Sequence, residues 1–123
     1  MSEFRTETDS LGDVQVPADA LWGAQTQRAV ENFPVSGQPM PQPFIAAVAQ
    51  IKRAAAEANT SLGLLDNDLR DAISQACEDL VKGEYADQFP VDLYQTGSGT
   101  STNMNVNEVI ASIARNAGFE VHP

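Results

Sequence analysis

Basic residues, cysteine and long apolar runs are scarce in this chain. Seven Lys and Arg stand against seventeen Asp and Glu, which gives a formal net charge of -10. This acidic balance argues against nucleic acid or an anionic membrane surface as a partner. No apolar run approaches the roughly 20 residues of a membrane span, and the N-terminal stretch lacks the basic start and apolar core of an export signal. We therefore expect a cytoplasmic protein.

The chain has one cysteine and one histidine. A lone Cys77 excludes an intramolecular disulfide, and it lies beside the helical apolar pattern that ends at Leu80. No His or basic residue flanks it, so we interpret Cys77 as a small core residue rather than a nucleophile. His122 is the only imidazole available for proton transfer.

The most informative segment that is present is residues 96–109, TGSGTSTNMNVNEV. Gly97 and Gly99 permit backbone turns that point successive N–H groups one way, and several hydroxyl side chains precede a predicted helix with a positive N-terminal end. This composition predicts a loop that binds a carboxylate or phosphate. The run does not end in Lys followed by Ser or Thr, so it is not a P-loop.

An ordinary helix cap explains the same composition. Ser, Thr and Asn crowd at helix N-termini because they satisfy free backbone N–H groups, and from composition alone this alternative is the better supported one. Asn103, Asn105 and Asn107 alternate inside the first turns, where Asn is a mediocre helix former. Such polar side chains need partners wherever they are buried.

The periodicity of the remaining chain predicts a mainly α fold behind a short N-terminal arm. Turn residues between positions 4 and 16 indicate a hairpin or an irregular arm. Helical spacing and punctuation predict further helices over residues 24–32, 44–59, 67–82 and 102–117. The second helix is predicted from Phe44, Val48, Ile51 and Ala55, the third has an apolar face that includes Leu69, Ile73, Ala76 and Leu80, and the last includes Val106, Val109, Ile110, Ile113 and Ala117.

Two motifs resemble one known family. Residues 96–111, TGSGTSTNMNVNEVIA, are similar to the first signature region of the fumarase/aspartase superfamily, and residues 16–30, VPADALWGAQTQRAV, match it independently. Residues 52–59, 62–65 and 88–100 also read like class II fumarase, so the resemblance covers nearly the whole chain. WGAQT at residues 22–26 and Ser98 in the glycine run favour fumarase over aspartase.

The resemblance implies the helical N-terminal domain of the fumarase/aspartase fold and the reversible hydration of fumarate to L-malate, without metal or organic cofactor. The family's active sites combine segments from three subunits of a homotetramer, built on long central helices. We expect residues 1–123 to form a single N-terminal domain that stops before that central bundle, and to be inactive alone.

The resemblance also implies which residues meet the substrate. Ser98 and Thr100 would hydrogen-bond a substrate carboxylate or the reacting water, Gly99 would allow close approach, and Asn103 would help to order the site. Thr26 and Arg28 are expected to bind substrate or to orient the loop, although a structural ion pair is an equal alternative for Arg28.

The remaining family assignments concern His122, the catalytic residues and Glu108. His122 corresponds to a histidine of a secondary dicarboxylate site, and the catalytic histidine and serine of the family would lie beyond Pro123. We therefore expect no catalytic residue within this chain. For Glu108, solvation or internal pairing is expected rather than acid–base work.

Two alternatives to a fumarate hydratase domain remain open. The first is aspartase or another lyase of the superfamily. The second is a helical interaction module without catalytic function, in which the glycine run only caps a helix.

Overall fold

The computed structural model describes residues 3–123. Within them, the element order is β1 (Phe4–Asp9), β2 (Gly12–Pro17), α1 (Ala24–Asn32), α2 (Gln42–Ser61), α3 (Asn67–Val81), a short 3-10 helix (Ala86–Gln88) and α4 (Thr100–Asn116). The predicted mainly helical class is confirmed, and of the two predicted forms of the N-terminal arm, hairpin or irregular, the hairpin is present. None of the described helices is long and apolar enough to cross a membrane.

The N-terminal arm is a two-stranded antiparallel hairpin. Its register pairs Phe4 with Pro17 and Asp9 with Gly12, so two residues form the loop between the strands. The alternation of β2 places Val14 and Val16 on the buried face, where they pack with Ala20, Ala24 and the partly buried Trp22. The hairpin is thereby fixed against the start of α1.

Arg5 of β1 fixes the segment between the hairpin and α1. Its guanidinium donates to the carbonyl oxygens of Pro17 at 3.0 Å, Ala20 at 2.6 Å and Trp22 at 2.7 Å. A planar guanidinium offers five N–H donors, so one side chain satisfies several carbonyl groups of an irregular segment. The WGAQT motif therefore begins from a defined backbone position.

The main core lies among α2, α3, α4 and the segment before α4. Its buried members are mostly aliphatic and include small residues that let helices approach closely: Ile45, Ala49, Ala76, Cys77, Leu80, Phe89, Val106, Val109 and Ile110. Cys77 is fully buried, and burial raises the pKa of its thiol to about 11. The prediction of a core cysteine is confirmed.

The helix predicted over residues 44–59 is present, but a neighbouring face is buried. Ile45, Ala49 and Ala56 face the core, whereas 46% of Phe44 and 65% of Ile51 are exposed. In an alanine-rich helix, two adjacent faces carry similar apolar spacing, and the face with small residues allows closer helix packing. The periodicity therefore predicted the helix but not its orientation.

Helix ends differ slightly from the predicted bounds. α3 ends at Val81 and is followed by Gly83 in the left-handed region, with φ +85°, in agreement with the predicted stop at that glycine. α4 begins at Thr100 rather than at 102, and a 3-10 turn interrupts the loop predicted before it. The earlier start places Thr100 itself in the first turn of α4.

Candidate functional site

Asp92 anchors the loop that leads into α4. Its carboxylate accepts hydrogen bonds from the backbone N–H groups of Ser36, Gly37 and Tyr94 at 2.7–3.0 Å, and from the Ser36 hydroxyl. Burial alone raises the pKa of Asp92, but these donors outweigh it and hold the pKa below its ordinary value. The loop therefore starts from a fixed point on the body of the domain.

The N-terminus of α4 carries backbone donors that remain unpaired. Gly99 is the N-cap residue, with φ +76° in the left-handed region, and it supplies no side-chain cap. Gln95 accepts from both the N–H and the hydroxyl of Thr102, each at 2.9 Å. Within residues 3–123, no group accepts a hydrogen bond from the N–H of Thr100 or Ser101. The positive end of α4 is therefore open.

The hydroxyl groups of the glycine run pair with one another. Ser98 Oγ and Thr100 Oγ1 lie 2.7 Å apart, and the Oγ1 of Thr96 and the Oγ of Ser101 lie 3.4 Å apart. Both Ser98 and Thr100 are exposed. Since Gln95 provides the side-chain cap at Thr102, the ordinary-cap interpretation does not account for these hydroxyls.

The alternating asparagines have separate environments. Asn105 is buried and donates its amide to the Gln88 carbonyl at 2.9 Å, whereas Asn103 accepts a hydrogen bond of 2.5 Å from Lys52 of α2. Asn107 lies 3.7 Å from the Met104 sulfur, a weak contact. The buried asparagine thus has the partner that burial requires.

A cavity of about 480 Å³ lies between α2, α3 and α4 and the last residues of the chain. Its floor is apolar, and its polar lining includes Lys52, Asn59, Asn107, Glu120 and His122. His122 is exposed, and its Nδ1 is 3.0 Å from the Pro123 carbonyl oxygen. The structure therefore places His122 in the lining of the same cavity as Lys52, and the glycine run does not line this cavity.

Thr26 is fully buried at the start of α1 and is bonded to Glu108 of α4. Glu108 accepts hydrogen bonds from the N–H of Gln25 at 3.1 Å, from the N–H of Thr26 at 2.9 Å and from the Thr26 hydroxyl. Only 7% of Glu108 is exposed. The expectation of internal pairing for Glu108 is confirmed, with N–H and hydroxyl donors in place of a cation. For Thr26, this burial favours an orienting role over substrate contact.

Arg28 is held by the hairpin. Its Nε and one terminal nitrogen contact the two Asp9 carboxylate oxygens, each at 2.9 Å, and it also donates to the Gly12 carbonyl. The hydrogen bond with Arg28 lowers the pKa of Asp9, and the same bond raises that of Arg28. The structural ion pair, one of the two alternatives for Arg28, is present.

The structure thus brings Ser98, Gly99, Thr100 and Asn103 together around one helix end and places Thr26, Arg28 and His122 elsewhere. Sequence reasoning did not anticipate the contacts of Gln95 and Lys52. Lys52 and Asn103 are 51 positions apart and share no local motif, whereas Gln95 lies only seven positions before its partner Thr102. For Lys52, the available signal was a basic residue on an alanine-rich helix of an acidic protein.

Comparison with known proteins identifies the family of this chain. A family model described as a lyase matches residues 12–123, so the chain belongs to this lyase family. Within this family, the chain is similar to proteins named fumarate hydratase class II. Fumarate hydratase class II of Halobacterium salinarum is 61% identical over 115 residues, which are 93% of this chain and 24% of that protein. The Xylella fastidiosa protein of the same name is 59% identical over 98% of this chain and 26% of its own length.

A solved structure of a class II fumarase has a similar fold. The recombinant class II fumarase of Schistosoma mansoni matches with a TM-score of 0.90 and 43% sequence identity, over 93% of this chain and 24% of that one. This chain therefore spans about a quarter of the length of the proteins it matches.

Proposed function

We propose that this chain is the substrate-loop domain of a class II fumarate hydratase, which hydrates fumarate reversibly to L-malate. The observation that carries the proposal is the open N-terminus of α4, where two unpaired N–H groups lie beside the Ser98 and Thr100 hydroxyls. The identity to relatives of that name supports it. We also propose that residues 1–123 form the first domain of a longer lyase, since those relatives are about four times as long.

The proposed ligand of the open helix end is a substrate carboxylate. Ser98 and Thr100 supply hydroxyl donors, Gly99 lets the carboxylate approach the backbone, and Asn103 orders the first turn. When a proton leaves the carbon next to a carboxylate, extra negative charge develops on that carboxylate. Donors that are already in position stabilise this charge without reorganisation. This local site works against the repulsion of a chain with a net charge of -10.

Different roles are proposed for the three residues outside the loop. Thr26 and Arg28 orient the N-terminal motif through Glu108 and Asp9, because their polar atoms already have these partners. His122 contributes to a secondary dicarboxylate site, a proposal supported by the presence of Lys52 in the same cavity lining. We propose no catalytic base among the residues of this chain.

Assembly and location are proposed from the resemblance. The longer parent is proposed to be a homotetramer in the cytoplasm, with fumarate and L-malate as its small-molecule partners. Light scattering of the parent protein measures its mass in solution, and a monomer at working concentration contradicts the tetramer.

A titration tests the carboxylate site. Fumarate added to the 123-residue chain is expected to move the amide NMR signals of residues 98–103. The double variant Ser98→Ala, Thr100→Ala is expected to lose the response, whereas Ser61→Ala, at the exposed end of α2, is expected to keep it. Signals that never move contradict the proposal and favour the non-catalytic helical module.

Activity separates the enzyme alternatives. With the 123-residue chain alone, the ultraviolet absorbance of fumarate is expected to change no faster than in buffer. With the longer parent protein, the absorbance is expected to fall. Turnover by the chain alone contradicts the proposal that no catalytic base lies among its residues. Loss of fumarate by the parent that requires ammonia favours aspartase.

A further inference from the structure

Lys52 contacts the candidate site from a different helix. It lies on α2, and its Nζ donates to Asn103 Oδ1 at 2.5 Å in a partly buried position. Asn103 occupies the first turn of α4, next to the unpaired N–H groups of Thr100 and Ser101. The contact therefore links the body of the domain directly to the open helix end.

The chemistry of the pair fixes the orientation of the Asn103 amide. An ammonium group has only donors, whereas an asparagine side chain has a carbonyl acceptor on one side and two N–H donors on the other. Asn103 must therefore present Oδ1 to Lys52, and its NH2 group is left on the opposite side. Within residues 3–123, no group accepts a hydrogen bond from that NH2.

The ammonium group of Lys52 has no carboxylate partner among the described residues. Within residues 3–123, four basic side chains form ion pairs with carboxylates: Arg5, Arg28, Arg53 and Arg70. Lys52, like Lys82 and Arg115, has no carboxylate within ion-pair distance in the described part of the chain. In a chain with net charge -10, an unpaired ammonium beside a helix N-terminus makes the local potential more positive than the overall field.

We propose that Lys52 is a positioning residue for carboxylate binding: it holds the Asn103 amide so that its NH2 group becomes a donor to the substrate carboxylate at the start of α4. The inference rests on the proposed function of that helix end. Lys52 acts through Asn103 and contributes a positive charge behind it.

The test measures fumarate affinity from the amide signals of the 123-residue chain. Lys52→Met removes both donor and charge, and we expect about a tenfold weaker affinity, in line with the loss of one charge-assisted hydrogen bond. Lys52→Arg keeps a donor-only cation and is expected to restore affinity to within about threefold. Arg53→Met makes the same change of net charge on the next residue, away from Asn103, and is expected to bind like the unsubstituted chain.

A second variant keeps the test decisive if Lys52→Met does not fold. Asn103→Asp preserves an acceptor for Lys52 but removes the NH2 donor, so it is expected to lose fumarate binding and remain folded by circular dichroism. Binding by Asn103→Asp equal to that of the unsubstituted chain overturns the inference.

The outcomes separate this inference from the proposed function. If the unsubstituted chain responds to fumarate and Lys52→Met responds equally, or if Lys52→Arg is no better than Lys52→Met, the positioning role is wrong and the carboxylate site stands. If the unsubstituted chain shows no response, the proposal of a carboxylate site is wrong, and the inference about Lys52 is wrong as well.

Discussion

Two helix N-termini in this molecule carry similar donors but different occupants. At the start of α1, the N–H groups of Gln25 and Thr26 and the Thr26 hydroxyl all bind the buried Glu108 carboxylate. At the start of α4, the N–H groups of Thr100 and Ser101 have no acceptor in the described chain, and the nearby hydroxyls are exposed. One end is closed by the protein's own carboxylate and the other is open to solvent.

The difference shows what the open end is suited to bind. α1 demonstrates, within the same chain, that two backbone N–H groups and one hydroxyl hold a carboxylate at hydrogen-bond distance. Because α4 presents the same kinds of donor, a carboxylate from a ligand fits there on the same chemical grounds. The closed end serves stability, and the open end is available for binding.

Removing the internal carboxylate has the largest expected effect. Glu108→Ala leaves buried donors of Gln25 and Thr26 without an acceptor and opens a void, which is expected to lower the free energy of unfolding by about 3 kcal/mol. Urea denaturation followed by circular dichroism measures it. Glu84→Ala, an exposed glutamate substitution, is the control and is expected to change little. Equal stabilities of the two variants contradict the idea that the closed end supports the fold.

Crowding the internal carboxylate has the next largest effect. A Cβ on Gly23 lies 2.6 Å from Glu108 Oε2, so Gly23→Ala displaces the carboxylate from its donors and is expected to cost about 2 kcal/mol. At Gly97, in the open loop, a Cβ meets nothing within 4 Å. Gly97→Ala is therefore the matched control and is expected to lose much less free energy of unfolding. Denaturation curves with similar midpoints for the two variants contradict the stabilising role of the Glu108 carboxylate.

Acid weakens the anchor of the open loop. Because the folded pKa of Asp92 lies below its ordinary value, its contribution is present above the ordinary aspartate pKa of about 3.9 and is lost as pH falls through the lower folded pKa. Asp92→Asn is therefore expected to flatten the dependence of stability on pH below about 4. Urea midpoints measured over this range test it, with the exposed Asp19→Asn as control. An unchanged pH profile in Asp92→Asn contradicts the anchoring role.

Substitutions at the open end itself have the smallest expected effect on stability. Ser98→Ala with Thr100→Ala removes hydroxyls that bond only to each other, so the free energy of unfolding is expected to change by less than about 0.5 kcal/mol. The same denaturation measurement checks this. A loss close to that of Glu108→Ala means that the loop hydroxyls support the fold and that the two helix ends do not differ in purpose.

Local pattern was sufficient for much of the fold. Helical spacing and punctuation predicted the α-helices of the described chain, and the turn residues before Val16 predicted a hairpin or an irregular arm, of which the hairpin is present. It did not identify which face of α2 is buried, since Phe44 and Ala49 belong to neighbouring apolar faces of one alanine-rich helix. That choice depends on how closely α3 approaches, which is a tertiary property.

The candidate site was less accessible to sequence reasoning. The glycine run identified Ser98 and Thr100 as neighbours because they are two positions apart on one loop. The contact between Lys52 and Asn103, and the one between Thr26 and Glu108, join distant parts of the chain. No local period or spacing encodes such pairs, so only the folded arrangement reveals them.

The bond between Thr26 and Glu108 has a consequence for the order in which the chain acquires structure during synthesis. The two residues are 82 positions apart, and α1 has only nine residues, too few for a stable isolated helix in water. The carboxylate that completes its first turn leaves the ribosome long after the helix itself. α1 therefore gains this support only after the first half of α4 has been synthesised, and a nascent chain that stalls before residue 108 lacks the group that holds α1.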